Sequence, residues 1–145
     1  MKMLWIRSKN KTKNKPYHII NFVLAGIIML IFIYSGLFSA EKDNHPIPSF
    51  YEELYGETSP SSGLSRSFSE IVRGRFKSAR EYNPNGIPVF IFFLVQLFQR
   101  LLVSLIIHRK NINLDRLVLF DSLSSAILFL YCFRDLIKVF IQNFS

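Results

Sequence analysis

Two residues of opposite charge lie inside apolar runs of this sequence. Arg100 lies within residues 87–107, and Asp121 lies within residues 117–133. A charge left unpaired in a membrane helix costs on the order of 3 kcal/mol. Because the connector between the two runs is short, the runs form an antiparallel hairpin that brings Arg100 and Asp121 to similar depths. We predict that they pair as a structural clasp; the alternative is that each side chain reaches the membrane surface independently.

A pair of charged residues inside a membrane can also form part of a transport pathway. Proton and ion pathways are lined by several polar groups that face one another. The two runs contain six further polar residues, which are Gln96, Gln99, Ser104, Ser122, Ser124 and Ser125. A small transport or channel subunit that uses Arg100 and Asp121 is therefore the alternative function for this sequence.

Catalytic and metal-binding patterns are absent from the sequence. His18, His45 and His108 are far apart, and the single cysteine is Cys132. No His-Glu-x-x-His, phosphate-binding loop or Gly-x-Ser-x-Gly motif occurs. The serines of residues 59–69 have only His45 as a base on the same predicted side of the membrane. We predict a non-enzymatic protein with no catalytic residues, no metal ligands and no cofactor, and a membrane enzyme is the third alternative.

Three apolar stretches are long enough to hold these residues in a membrane. The chain has 145 residues, of which 50% are hydrophobic, yet its net charge is +8. Membrane proteins combine these properties because their charges collect in loops. Since about 20 helical residues cross a ~30 Å hydrocarbon layer, we predict an all-α integral membrane protein with three transmembrane helices, at about residues 17–39, 87–107 and 117–140. A cleaved signal peptide is the alternative for the first helix.

The distribution of Lys and Arg predicts the orientation, because cytoplasmic loops are enriched in both. Residues 1–16 form a basic tail without acidic residues, which we expect to be unstructured and cytoplasmic. The connector at residues 108–116 is also basic, whereas residues 41–86 are nearly neutral and fit an extracytoplasmic loop. We predict a single membrane domain over residues 17–145, with the C-terminus outside.

Residues 67–82 have the pattern of one amphipathic helix, with Gly74 as a candidate position for a bend. Ser67 and Glu70 match a capping box at its start, and apolar residues recur downstream at helical spacing. The basic residues of the other face are Arg66, Arg73, Lys77 and Arg80. We predict that this helix lies along the outer membrane interface, with this basic stripe toward lipid phosphates. The alternative is a helix packed on the bundle with its charges in solvent.

Several short motifs occur in an order that resembles a known family. They are His45-Pro46, Pro60, Gly63, Leu64, Arg66, Gly74 and Asn83-Pro84. In this order, residues 45–100 resemble a family of small bacterial membrane proteins named only as domain of unknown function 2752. The family pattern is His-Pro, Cys-Pro-x-Cys-Gly-x-Thr-Arg, a Gly-centred step and Asn-Pro before an apolar helix. The resemblance implies a bacterial protein with several spans, so we predict the inner membrane as its location, with the N-terminus in the cytoplasm.

The sequence departs from the family pattern at its two cysteines, which fall on Ser59 and Ser62. A cysteine pair could bind a metal or cycle as a dithiol, whereas serine oxygens do neither well at neutral pH. The motif residues that the resemblance implies as contacts are Ser59, Pro60, Ser62, Gly63, Ser65, Arg66, Asn83 and Pro84. Gly63 permits a sharp turn. Arg66 could neutralise a carboxylate or a lipid phosphate, and the alternative is a solvated side chain.

These features predict a small multi-span membrane protein that works by binding. The predicted partners are membrane lipids, through their headgroups, or other membrane protein subunits. The basic tail could touch nucleic acid, but attraction to the anionic cytoplasmic membrane surface accounts for it more simply. We therefore predict no nucleic-acid partner.

Overall fold

Helices account for all the regular secondary structure that is described. The computed structural model describes residues 2–38, 62–109 and 113–143, with side chains at residues 16–38, 62–108 and 113–142. The helices are α1 (Lys2–Leu37), α2 (Leu64–Val72), α3 (Phe76–Tyr82), α4 (Gly86–Arg109), α5 (Leu114–Cys132) and α6 (Arg134–Asn143). The predicted all-α fold is confirmed for these residues.

Two helices are long and apolar enough to cross a membrane by themselves. They are the segment Pro16–Leu37 of α1 and the segment Gly86–His108 of α4. α5 and α6, which are bent by 64° at a break, pass the same test of length and composition when they are taken together, so the number of spans is two or three. Large apolar side chains on these helices are exposed, for example Leu30 and Ile127, as expected for surfaces that face lipid. The chain therefore has the features of a multi-pass membrane protein with two or three spans.

The first helix begins earlier than we predicted. α1 starts at Lys2 and contains Pro16, so the tail that we expected to be unstructured is helical, and this expectation is wrong. Residues 1–15 contain no glycine or proline, so nothing before Pro16 interrupts the helix. Pro16 lies inside α1 and removes one backbone hydrogen-bond donor there without ending the helix.

The helix predicted at residues 117–140 is broken at Phe133, where α5 and α6 meet at an angle of 64°. The amide of Phe133 bonds to the carbonyl of Phe129 (2.9 Å) and completes the last turn of α5. The break lies where the apolar run reaches the charges of Arg134 and Asp135. The prediction of one continuous third helix is therefore wrong.

The amphipathic segment at residues 67–82 is likewise two helices rather than one. α2 and α3 are separated by a turn at Gly74, whose φ is +76°. This left-handed conformation ends a helix and is easiest for glycine. The candidate bend is therefore a complete break.

The predicted capping box is wrong. α2 begins at Leu64, after Gly63 at the N-cap with φ +77°, so Ser67 lies inside the helix with a buried side chain. Glu70 does not cap the helix start but forms an ion pair with Arg75 (2.6 Å). This pair links α2 to the residue that precedes α3.

α4 is the central helix, with α1 packed on one side and α5 on another. α1 and α4 are antiparallel. Near one end the ring centroids of Phe32 and Phe90 are 4.8 Å apart, and near the other end Nδ1 of His18 lies 2.8 Å from Oγ of Ser104. α2 packs on α1 and α4, and α3 packs on α2 and α4, at the end of the bundle where α1 stops and α4 starts. We name this the cap end, and the opposite end, where α4 stops and α5 starts, the tail end.

The apolar interior is richest in phenylalanine toward the cap end. Buried residues of α2, α3 and α4 form one cluster, which consists of Phe68, Ile71, Ala79 and Val89. Around it lie rings whose centroids are 4.5–6.1 Å apart, namely Phe32, Phe68, Phe90, Phe92, Phe93, Phe129 and Phe133. We name these seven rings the aromatic cluster. It joins α1, α2, α4 and α5 by tilted, edge-to-face and stacked contacts.

Candidate functional site

Arg100 and Asp121 lie side by side inside the bundle. Nη1 of Arg100 donates to Oδ2 of Asp121 (2.6 Å), and Nη2 donates to Oδ1 (2.9 Å). Their side chains are 9% and 2% exposed. Two parallel, charge-assisted hydrogen bonds between a guanidinium and a carboxylate fix both orientation and distance. The structure thus brings together the two residues for which we predict a clasp between α4 and α5.

α1 also contributes to this site, which the sequence prediction missed. Oδ1 of Asn21 accepts from Nη1 of Arg100 (3.0 Å), and the hydroxyl of Tyr17 donates to Oδ2 of Asp121. Tyr17 and Asn21 are four residues apart and share one helix face, which continues with the buried Ala25. Polar residues on the same stripe as a buried alanine are the signal in the sequence that locates them here.

The remaining partners come from α4 and α5. Nε2 of Gln99 donates to Oδ1 of Asp121 (2.5 Å) and to Oγ of Ser124 (2.8 Å). Oγ of Ser125 accepts from Nη2 of Arg100 (2.9 Å). We name the whole set the polar cluster; its members are Tyr17, Asn21, Gln96, Gln99, Arg100, Asp121, Ser124 and Ser125. Hydrogen bonds within it join three helices.

Arg100 also orients two side-chain amides of the polar cluster. Because a guanidinium only donates, Asn21 and Gln96 must both turn their oxygens toward it, and Oε1 of Gln96 accepts from Nη2 at 3.2 Å. Three buried nitrogens then have no partner among the described residues: Nδ2 of Asn21, Nε2 of Gln96 and Nε of Arg100. Unpaired N–H groups in an apolar medium are costly. The polar cluster therefore has spare donors for a small hydrogen-bond acceptor.

The polar cluster lies at the middle of α4 and α5 and toward the tail end of the apolar segment of α1. On α4 it extends from Gln96 to Arg100, and one turn further toward the tail end Oγ of Ser104 lies 2.8 Å from Nδ1 of His18. Toward the cap end, the interior side chains of α4 are Val89, Phe90 and Phe93. A layer of phenylalanine rings thus separates the polar cluster from the cap end. Ser122, which we counted among the polar residues of the runs, is exposed.

Arg73, a member of the predicted basic stripe, is bonded to the end of α1. Nη1 donates to the carbonyl of Ser69 (2.8 Å), and Nη2 donates to the carbonyls of Gly36 (3.2 Å) and Phe38 (3.1 Å). The last carbonyls of a helix lack intrahelical partners, and the helix dipole favours a cation beside them. Arg73 therefore fixes α2 to the C-terminal end of α1.

The other residues of the predicted stripe are arranged differently. Lys77 and Arg80 are exposed, whereas Arg66 is half-buried. Lys77 and Arg80 line a hollow of about 450 Å³ together with Phe76 and Glu81. All four residues belong to α3 and are exposed, so the hollow is an open depression of the surface. The structure thus places two of the four predicted basic residues at one concave surface of α3.

Three of the predicted motif residues, Ser62, Gly63 and Asn83, meet at the start of α2. Nδ2 of Asn83 donates to the carbonyl of Ser62 (2.8 Å), and Oδ1 of Asn83 accepts from the amide of Asn85 (2.8 Å). Gly63 lies so close to the carbonyl of Tyr82 that an added Cβ would collide with it. These contacts form a structural junction between the start of α2 and the end of α3. Ser65 and Pro84 are exposed, and Ser59 and Pro60 lie outside the described residues.

Comparisons and metal geometry add no further assignment. No protein-family model, curated protein or solved structure matches the chain. Among the described residues, no group of three or more His, Cys, Asp or Glu side chains could hold a metal ion.

Proposed function

We propose that this chain is a small multi-pass protein of the bacterial inner membrane that binds anionic lipid headgroups and performs no catalysis. One observation carries the proposal. Lys77 and Arg80 are exposed cations that take part in no ion pair among the described residues, and they share a hollow with Phe76, whose ring is 55% exposed. By contrast, Arg73 and Arg100 are bonded within the protein.

The position of α3 supports a lipid ligand. α3 ends at Tyr82, immediately before α4 begins at Gly86, and α4 is one of the two helices that can span a membrane alone. α3 is therefore at the level where a span leaves the hydrocarbon, and this is where lipid phosphates lie. An exposed aromatic ring beside two cations is the combination with which interfacial segments bind anionic lipids.

The orientation in this proposal follows from the charges of the connecting segments. The basic residues at 1–16 and 108–116 place the tail end in the cytoplasm. α2 and α3 are then on the outer side, and with three spans the C-terminus is outside as well. The resemblance of residues 45–100 to domain of unknown function 2752 agrees with a bacterial membrane protein.

α1 remains part of the working protein in this proposal and is not a cleaved signal peptide. Tyr17 and Asn21 bond to the polar cluster, and the last carbonyls of α1 accept from Arg73. Removal of α1 would delete these bonds to Arg100, Asp121 and Arg73. The intact mass of the membrane-extracted protein tests this, and a mass that lacks α1 contradicts it.

The test of lipid binding compares retention of phosphatidylglycerol and phosphatidylcholine by the full-length protein in mild detergent, measured by native mass spectrometry. A cation near an anionic membrane surface contributes about 1 kcal/mol. We therefore expect Lys77→Gln/Arg80→Gln to weaken phosphatidylglycerol binding by roughly 30-fold. The matched control, Lys77→Arg/Arg80→Lys, exchanges the two side chains and conserves the charge, and it should retain binding.

Two results would contradict the lipid proposal. One is equal retention of phosphatidylglycerol by the wild type and the Lys77→Gln/Arg80→Gln variant. The other is a protein subunit that co-purifies in constant ratio and is lost with the same variant, while the lipid content stays unchanged. The second result would identify a membrane protein as the partner at this surface.

A small transport or channel subunit is the second candidate, and the spare donors of the polar cluster favour it. Nδ2 of Asn21, Nε2 of Gln96 and Nε of Arg100 are available to a permeating acceptor. The aromatic cluster opposes it, because its rings fill the bundle toward the cap end. Flux into proteoliposomes that Asp121→Asn abolishes, at normal expression and folding, would favour transport over headgroup binding.

A further inference from the structure

The helix before α6 already has the length of a membrane span. α5 has 19 residues and is therefore about 28 Å long, close to the ~30 Å of a hydrocarbon core. α6 departs from α5 at 64°, so if α5 follows the membrane normal, α6 runs closer to the membrane plane than to the normal. α6 is thus not needed to complete a crossing.

α6 separates charged and apolar residues on two faces. Its charged face holds Arg134, Asp135 and Lys138, and Asp135 lies 3.5 Å from both cations. The side chains of this trio are 52–70% exposed. The apolar residues on the other face are Leu136, Ile137 and Phe140, whereas Ile141 lies at the border of the charged face, three residues after Lys138. This separation at helical spacing is the pattern of a helix that lies between two solvents.

The depth of α6 is set by its first turn. Leu136, and Phe133 just before the helix, pack against the buried cluster at the cap end. That cluster includes Phe68 of α2 and Val89 in the first turn of α4. α6 therefore begins at the level where α4 enters the apolar region. From there it carries Ile141, 58% exposed, away from the bundle.

We propose that α6 is an interfacial anchor: it lies along the membrane surface at the cap end, with its apolar face in the acyl chains and its charged face toward headgroups and water. Phospholipid is the occupant that fits, because the apolar face continues the exposed apolar surface of α5, on which Ile127 and Leu130 are 68% and 61% exposed. The charged face carries one net positive charge, which suits anionic headgroups. The placement of α6 does not depend on Lys77 and Arg80, so the two proposals can fail separately.

The experiment places single nitroxide labels on the full-length protein in lipid vesicles, in a Cys132→Ser background. Lys138→Cys samples the charged face, and Phe140→Cys, at a position that is 64% exposed, samples the apolar face on the opposite side of the helix. We expect the label at 138 to be accessible to a water-soluble relaxation agent. We expect the label at 140 to be accessible to oxygen at a depth of about 5–10 Å below the headgroups. Asp135→Cys is the second probe of the charged face and should behave like Lys138→Cys.

Three outcomes would overturn the interfacial placement. Labels at 135 and 138 that are both deep and oxygen-accessible would make α6 the second half of a bent span. A label at 140 that is accessible to water would place α6 free in solution. A label at 140 shielded from both agents would place a protein on the apolar face. Reaction of Lys138→Cys from the cytoplasmic side would contradict only the orientation of the proposed function, and α6 would still be interfacial.

Discussion

The same three long helices are held together by hydrogen bonds toward one end and by phenylalanine rings toward the other. In the polar cluster, Arg100 and Asp121 bond to each other and to side chains of α1. In the aromatic cluster, Phe32 contacts Phe90, and Phe92 contacts Phe129. Helices that face lipid gain little from hydrophobic burial against one another. Directional hydrogen bonds therefore determine which helix faces meet inside the bundle. Ring packing holds the helices together at the end where α2 and α3 cover the spans.

The largest loss of stability should follow from breaking the polar cluster at its charge pair. Asp121→Leu leaves Arg100 buried without a counter-charge, at a cost of about 4 kcal/mol in the free energy of unfolding. Unfolding in mixed micelles of SDS and a mild detergent measures this. The control is Asp135→Leu on the exposed pair with Arg134, which should change stability by less than about 1 kcal/mol.

The pairing itself is tested by reversing both charges. Arg100→Asp/Asp121→Arg should recover much of the expression and stability that either single reversal loses. No recovery would contradict the clasp, provided that both single variants are inserted in the membrane.

A slightly smaller loss is expected from a cavity in the aromatic cluster. Phe68 is 5% exposed and meets Phe90 edge-on at 5.3 Å. Phe68→Ala should cost about 3 kcal/mol, measured by the same unfolding titration. Phe76→Ala is the matched control, because that ring is 55% exposed and its loss should be nearly neutral. Equal losses at the two positions would show that ring packing does not hold α2 on the spans.

The junction between α2 and α3 should respond more weakly. Gly63 and Gly74 both have φ near +76°, but only at Gly63 would a Cβ collide with a backbone carbonyl, that of Tyr82. We expect Gly63→Ala to cost about 2 kcal/mol and Gly74→Ala about 1 kcal/mol. Thermal unfolding in detergent compares them, and the reverse order would contradict the packing of Gly63 described above.

The smallest effect should come from one hydroxyl of the polar cluster. Tyr17→Phe removes a donor to Asp121, which keeps the donors of Arg100 and Gln99. We expect a loss of about 1 kcal/mol in the unfolding titration. Tyr131→Phe serves as the control, because Tyr131 is 68% exposed. A loss above that of Phe68→Ala would mean that α1 is held mainly by Tyr17.

The parts of the fold that depend on composition could be predicted from the sequence, and those that depend on contacts could not. Uncharged length identifies the spans at α1 and α4. Periodicity also placed helix over residues 67–82, but it could not show that Gly74 breaks it, because the helical residues on both sides share one pattern. The break at Phe133 carries no glycine or proline signal and depends on ring contacts with Phe92 and Phe129.

The candidate site shows the same division. Arg100 and Asp121 could be predicted as a pair, because they are opposite charges at similar depths and an unpaired charge in a membrane helix is unfavourable. Asn21 and Tyr17 are uncharged and lie far away in the chain, so their part in the polar cluster depends on how α1 packs against α4. The role of Arg73 depends on where α1 ends. The regular spacing of Arg73, Lys77 and Arg80 in the sequence does not reveal that position.

The participation of α1 in the polar cluster has a consequence for biosynthesis. α1 emerges from the ribosome before α4 and α5 and carries Asn21 long before Asp121 has been translated. Arg100 follows, and until α5 is made its guanidinium can donate hydrogen bonds only to amide oxygens of the cluster. Completion of the cluster is therefore a late event in synthesis, and a nascent chain that ends before residue 121 holds Arg100 without its counter-charge.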